Sequence, residues 1–265
     1  MKLYKFWATH KQKISIHGET VEVRCYGGSN LSPEDAAQNA AQKMGLIERK
    51  INGEHGVFED YEVEIREEIL EEIHSNAVIT RNRYGARVLN VSNLLILDID
   101  KPKTSFIGLF SKKDPQQDKA KIFEMVRKLA SSSKYSGLGF RVYETFQGAR
   151  VIVSGRDFDP RDSDTTKLMN EFNCDSLYTT LCVKQDCFRA RLTPKPSRIK
   201  MRKQKVNFPR ETDPQVEQWI EAYEKESHNF SVCKFIEQIG ANATGSDLIR
   251  LHDELTKAHT NLRLA

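Results

Sequence analysis

Two aspartates separated by a single residue, Asp98 and Asp100, end the apolar run Leu94-Leu95-Ile96-Leu97. On a β-strand, residues two apart project from the same face, so these carboxylates stand together roughly 7 Å apart along the chain. Neighbouring carboxylates repel and push each other's pKa up. A hard divalent cation, Mg²⁺ or Mn²⁺, takes oxygen ligands and relieves that repulsion. The plainer alternative is an acid at a strand end paired with Lys101 or Lys103.

Two further segments carry phosphate-type chemistry. Phe140 to Thr145 and Ala149 to Ser154 read as strands joined through Phe146-Gln147-Gly148. A hydroxyl (Thr145), a turn glycine (Gly148) and a cation (Arg150) at a hairpin can hold a phosphate by hydroxyl, backbone N–H and charge; an ordinary hairpin with an exposed Arg is the alternative. From Lys184 to Lys205 basic residues dominate, with Asp186 the only acid. Arg189 and Arg191 would share one strand face there, suited to a triphosphate or a nucleic-acid backbone, unless the stretch is simply a solvated basic loop.

The elements that must position these residues alternate between strand and helix patterns. Leu3 to Ala8 and Thr20 to Tyr26 read as strands, broken by Gly27-Gly28-Ser29-Asn30. Ser32-Pro33-Glu34-Asp35 is a helix start, with a capping hydroxyl, a proline at the first position and acids at the positive end of the dipole. Tyr61 to Ile65 reads as a strand, Arg66 to Ser75 as a short helix, and Ala77 to Thr80 and Arg87 to Val91 as strands. The run from Asn93 to Asp100 suits a central strand covered on both faces. A polar loop is expected over 102–118, helices over Lys119 to Ala130 and Asp164 to Phe172, and a strand over Phe188 to Leu192. Beyond Asp213-Pro214 the patterns read as helical throughout: one helix with Val216, Trp219, Ile220 and Tyr223, one over Val232 to Ile239, and one capped by Ser246. The expected fold is therefore α/β in the α+β sense, with a core over 1–212 (an N-terminal half over 1–90, a metal and nucleotide half over 91–212) and a helical appendage over 213–265.

Composition bounds the class. The 265 residues are 38% hydrophobic and 29% charged, with 41 basic against 37 acidic residues and a net charge of +4, which excludes wholesale disorder. No apolar run approaches the roughly 20 residues of a membrane span, and the start lacks the apolar stretch of a secretory signal. The five cysteines, Cys25, Cys174, Cys182, Cys187 and Cys233, lack the Cys-x-x-Cys spacing of strong zinc sites and read as reduced thiols. These features predict a cytoplasmic protein without a membrane partner.

In their order, Leu95-Ile96-Leu97-Asp98-Ile99-Asp100, Thr145-Phe146-Gln147-Gly148-Ala149-Arg150, Asp175-Ser176-Leu177-Tyr178 and Cys187-Phe188-Arg189-Ala190-Arg191 with Lys195 resemble the motifs of the archaeo-eukaryotic primase superfamily, including its primase-polymerase branch. The resemblance spans roughly residues 90 to 200 and implies a primase-like two-layer core with a mixed or antiparallel central sheet flanked by helices. It implies that Asp98, Asp100 and Asp175 hold divalent ions (Mg²⁺ or Mn²⁺), and that Thr145, Gly148, Arg150, Arg189, Arg191 and Lys195 bind the phosphates of a nucleoside triphosphate. The implied activity is metal-dependent nucleotidyl transfer on a single-stranded or primer-template nucleic acid. Where the family's second motif has a histidine, this chain has Arg150, which can contact a phosphate but cannot titrate near neutrality or offer a lone pair. That departure sets a second expectation beside the first, a non-catalytic nucleic-acid-binding relative. A third is a metal-dependent phosphohydrolase, because an Asp-x-Asp after an apolar strand resembles the haloacid-dehalogenase family.

Overall fold

The computed structural model describes residues 1–16, 18–54, 63–101, 115–210, 212–241 and 247–265. Strands β1 (Phe6–Ile16) and β2 (Glu19–Ser29) form a long antiparallel hairpin. Helix α1 (Pro33–Ile51) packs on it, started by the Ser32 hydroxyl accepting the Asp35 N–H at 3.1 Å. The glycines expected to end β2 lie inside it. A Cβ at Gly27 would come within 2.2 Å of the Ala40 backbone nitrogen, so glycine lets α1 lie directly on the strand.

Strands β3 (Glu68–His74), β4 (Ala77–Arg81) and β5 (Arg87–Val91) follow as antiparallel neighbours. β6 (Leu95–Asp100) carries the aspartates, and α2 (Pro115–Ala130) follows. β7 (Gly139–Thr145) and β8 (Gly148–Ser154) make the expected hairpin. Next come α3 (Ser163–Glu171), α4 (Ser176–Gln185) and β9 (Phe188–Arg191). The chain then runs through α5 (Pro214–Ser227), β10 (Phe230–Ser231), β11 (Cys233–Gly240), α6 (Asp247–Thr256) and β12 (Arg263–Leu264). Two four-stranded sheets, ordered β11-β7-β8-β6 and β3-β4-β5-β9, are antiparallel throughout. One hydrophobic cluster joins them, from Ile79 and Leu89 through Leu95–Leu97 to Phe140, Phe172 and Phe188. The fold is α+β, with helices against antiparallel sheets.

Two expected helices are strands, for a shared reason. The expected helix over Arg66 to Ser75 is instead β3 over Glu68–His74, whose register against β4 shifts at Ile69/Glu71 and Glu72/His74. The expected helix over Val232 to Ile239 is instead β11 over Cys233–Gly240, which shifts against β7 at Phe235/Glu237. A bulge inserts a residue and breaks the period-two alternation of a strand. Val232, just before β11, and Phe235, Ile236 and Ile239 within it fall at offsets of 0, 3, 4 and 7, the spacing of a helix face. The tail beyond Asp213 is thus no purely helical appendage: it supplies the outer strand of the sheet that carries Asp98. Helix α4, unassigned from the sequence, follows Asp175. Of the Tyr61 to Ile65 strand, Tyr61 and Glu62 lie outside the described residues, and Ile65 makes an isolated bridge with Leu3. The Ser246 cap and the 102–114 part of the expected loop also lie outside them.

Gly148 is the tightest point beside the aspartates. It pairs with Asp100, and an added Cβ would sit 2.0 Å from the Ile99 carbonyl oxygen. Gly148→Ala should lower unfolding stability by about 1–3 kcal/mol through overpacking against rigid backbone, read as a lower urea midpoint at unchanged m-value.

Candidate functional site

The ladder between β6 and β8 places Asp98 opposite Arg150 and Asp100 opposite Gly148. Arg150 in turn faces Tyr143 of β7, and Tyr143 faces Phe235 of β11. Directly opposed residues share a sheet face, so an acid, a cation and two aromatics form one row across the sheet.

Asp175 reaches the same acids from outside the sheet. Its Oδ1 accepts the Tyr178 N–H at 2.8 Å, capping α4, and its own N–H donates to the Asp98 carbonyl at 2.9 Å. The Tyr178 hydroxyl donates to the Ile96 carbonyl at 2.9 Å and accepts the Arg189 N–H at 3.2 Å. The Cys174 Sγ lies 3.3 Å from both the nitrogen and the oxygen of Asp98. The start of α4 is thereby fastened along the outer edge of β6. Burial pushes the Asp100 carboxyl above the ordinary aspartate value, the charges of Asp98 and Asp175 push it further, and Lys195 and Arg198 partly offset them.

Opposite these acids stands a group of cations that repel one another. Arg191 is lowered to about 10 by burial, then by Arg198 and Arg150. Burial, Arg191 and Arg198 likewise lower Lys195. The Nε atoms of Arg150, Arg189 and Arg191 are buried without a hydrogen-bond partner among the described residues. Arg189 differs in being an ion-paired residue, its Nη2 lying 2.5 Å from Glu67 Oε2. Thr145 also turns inward: it is buried, and its hydroxyl accepts the Gly148 N–H at 3.1 Å inside the hairpin. Arg198 donates to Gln147 Oε1 at 2.9 Å and lies 4.5 Å over the exposed Phe146 ring.

Asp98, Arg150, Arg189 and Arg191 line a cleft of ≈ 990 Å³. Its other walls include Arg24, Lys43, Arg66 and Arg83, interleaved with Trp7, Tyr26, Tyr84 and Phe208, and two acids, Glu64 and Glu67, paired to Lys43 at 2.7 Å and to Arg189. Arg66 lies 3.6 Å over the Tyr26 ring. Sequence reasoning missed this N-terminal wall. The alternation of Arg24 and Tyr26 on β2 was its one local sign, and only the tertiary packing brings it opposite Asp98. Asp100, Lys195 and Arg198 do not line the cleft; they lie beyond Asp98, within electrostatic reach of it.

Compared with protein-family models, curated proteins and solved structures, the chain matches none of them. Among the described residues, no three acidic, histidine or cysteine side chains form a group that could hold a metal ion on their own. Mg²⁺, however, commonly binds through one or two carboxylates together with waters and substrate phosphates. Asp98 and Asp100 fit that mode, two hard oxygen donors on one strand whose mutual repulsion a cation would relieve. Asp175, with one oxygen committed to its helix, fits a supporting position. The five cysteines are free and buried, and burial raises the thiols of Cys174 and Cys187 to about 12. Among the described residues, no helix is long and apolar enough to cross a membrane.

The raised Asp100 has a consequence for stability. Its folded-state pKa lies above its unfolded value, so ionisation costs stability as pH rises from the ordinary aspartate value of 3.8 towards the raised one, and the cost is fully present above both. Asp100→Asn should therefore raise the metal-free melting temperature at pH 7, and the gain should vanish below about pH 4. A thermal unfolding series from pH 3 to 8 on both proteins checks this.

Proposed function

We propose that this chain is a primase-like nucleotidyltransferase that uses divalent metal to join nucleoside triphosphates to a nucleic-acid strand. One observation supports it above the rest: two adjacent carboxylates face a set of crowded, partly unpartnered cations, at the end of a cleft whose walls mix aromatic and basic side chains. Crowded like charges destabilise one another, and a metal-bound polyphosphate would satisfy both sides at once.

Asp98 and Asp100 would hold Mg²⁺ or Mn²⁺, with Asp175 in support. The ion would supply activation of the attacking hydroxyl and neutralisation of the triphosphate. Arg150 and Arg191 donate to phosphate oxygens from the sheet side, and Lys195 and Arg198 from beyond the acids. Arg150 takes the place of the superfamily histidine as a fixed charge; it anchors phosphate and moves no proton. Trp7, Tyr26, Tyr84 and Phe208 offer ring faces to unpaired bases, and Arg24, Arg66 and Arg83 offer charge to the backbone.

Primer synthesis or extension with Mn²⁺ tests this reading. Asp98→Ala combined with Asp100→Ala should abolish product, a loss of at least about 10³-fold if metal provides most of the electrostatic stabilisation. Equal product from both proteins would reject it.

A second reading, a non-catalytic single-strand binder, is favoured by Arg150 at the histidine position. It predicts binding that persists in chelator and weakens steeply with salt. Arg24→Ala with Arg66→Ala should lower low-salt affinity for a single-stranded oligonucleotide by about tenfold or more and flatten the salt slope by about one to two counterions. Unchanged fluorescence-anisotropy titrations in that variant would remove the cleft from the binding path.

A further inference from the structure

Arg150 is 3% exposed, yet it lines the cleft. Its Nη1 donates to the Arg191 carbonyl at 3.1 Å and lies 3.1 Å from Nε2 of His252, a fully buried residue of α6. A guanidinium only donates. Nε2 must therefore present a lone pair, and the imidazole proton must sit on Nδ1, 3.0 Å from Asp253 Oδ1. Asp253 is itself fixed: Oδ1 accepts the Tyr143 hydroxyl at 2.5 Å, and Oδ2 accepts Arg141 Nη2 at 2.6 Å.

We propose that His252 and Asp253 are positioning residues for Arg150, holding its guanidinium by one edge so that its charge stays directed at the cleft. The proposal rests on the phosphate-binding reading of that site. It makes the C-terminal segment part of the binding machinery, although it carries none of the recognisable motifs.

The groups around the imidazole agree. Burial drives His252 down to about 4; the hydrogen bond to Asp253 opposes this, and the charges of Arg150 and Arg141 add to it. The Tyr143 ring packs edge-on at 4.9 Å, and Cys233 Sγ lies 4.0 Å from Nε2. Cys233, His252 and Asp253 mimic the order of a nucleophilic triad, but Cys233 is fully buried, its thiol is raised by burial, and Nε2 is already taken by Arg150. A neutral imidazole accepts from Arg150 without cancelling its charge, which a carboxylate in the same place would do.

Calorimetric titration with inorganic triphosphate and Mg²⁺ tests the proposal on the full chain. His252→Leu removes the acceptor, and His252→Gln supplies an amide oxygen in its place. Losing a hydrogen bond to a charged group predicts that the Leu variant binds about ten- to a hundredfold more weakly, with the Gln variant recovering most of that. Circular dichroism melts fix a temperature at which each protein is folded. Wild-type affinity in a folded Leu variant overturns the positioning role. Absence of triphosphate binding in the wild type instead overturns the phosphate reading, and ¹⁵N NMR of the wild-type ring then judges the arrangement itself. A proton on Nδ1 with a bare Nε2 whose signal moves in Arg150→Gln supports it, and a proton on Nε2 overturns it. The NMR measurement also decides the matter if the Leu variant does not fold.

Discussion

The register between β6 and β8 is the constraint on which the site depends. Leu95, Ile96 and Leu97 pair with Val153, Ile152 and Val151, all fully buried. A one-residue slip would turn every side chain of the strand to the other face, so this apolar ladder locks the pairing beyond it. That pairing sets Asp98 against Arg150 and Asp100 against a glycine with no room for a side chain. The polar chemistry is placed by residues that take no part in it.

What the register assembles is electrostatically unfinished. Like charges gather on both sides: the acids raise Asp100, and neighbouring cations add to burial in lowering Arg191 and Lys195, while burial lowers Arg198 against the pull of Asp98 and Asp100. Away from the cleft, Arg81 bonds Glu68 and Glu224, and Arg141 bonds Asp253. Perturbed groups that cluster beside a cleft mark functional sites more often than structural ones; here Arg191 lines the cleft, and Asp100, Lys195 and Arg198 lie outside its lining.

The parts of this arrangement that were readable from the sequence are those set by short-range pattern. The apolar run ending in Asp98 and Asp100, the hairpin around Gly148, the Ser32 cap and the shared face of Arg189 and Arg191 all follow from periodicity or turn chemistry. Strands β3 and β11 were hidden because bulges gave their apolar residues helix-like spacing. The contribution of His252 was hidden for a different reason. A lone histidine on an apolar helix face reads as core, and only a hydrogen bond 102 residues away in sequence links it to Arg150. The cleft wall from Trp7 to Arg66 has the same character, being built from residues that tertiary packing alone brings opposite the acids.

β6 also ends its sheet, and a terminal strand exposes a row of backbone groups to which a strand of another molecule can add. The segment from Cys174 to Tyr178 occupies that row: sulfur at the Asp98 backbone, the Asp175 amide on the Asp98 carbonyl, and the Tyr178 phenol on the Ile96 carbonyl. The contacts that bring the third acid to the site therefore also shield the most apolar strand of the protein from self-association, so that loosening this corner would expose a template for aggregation.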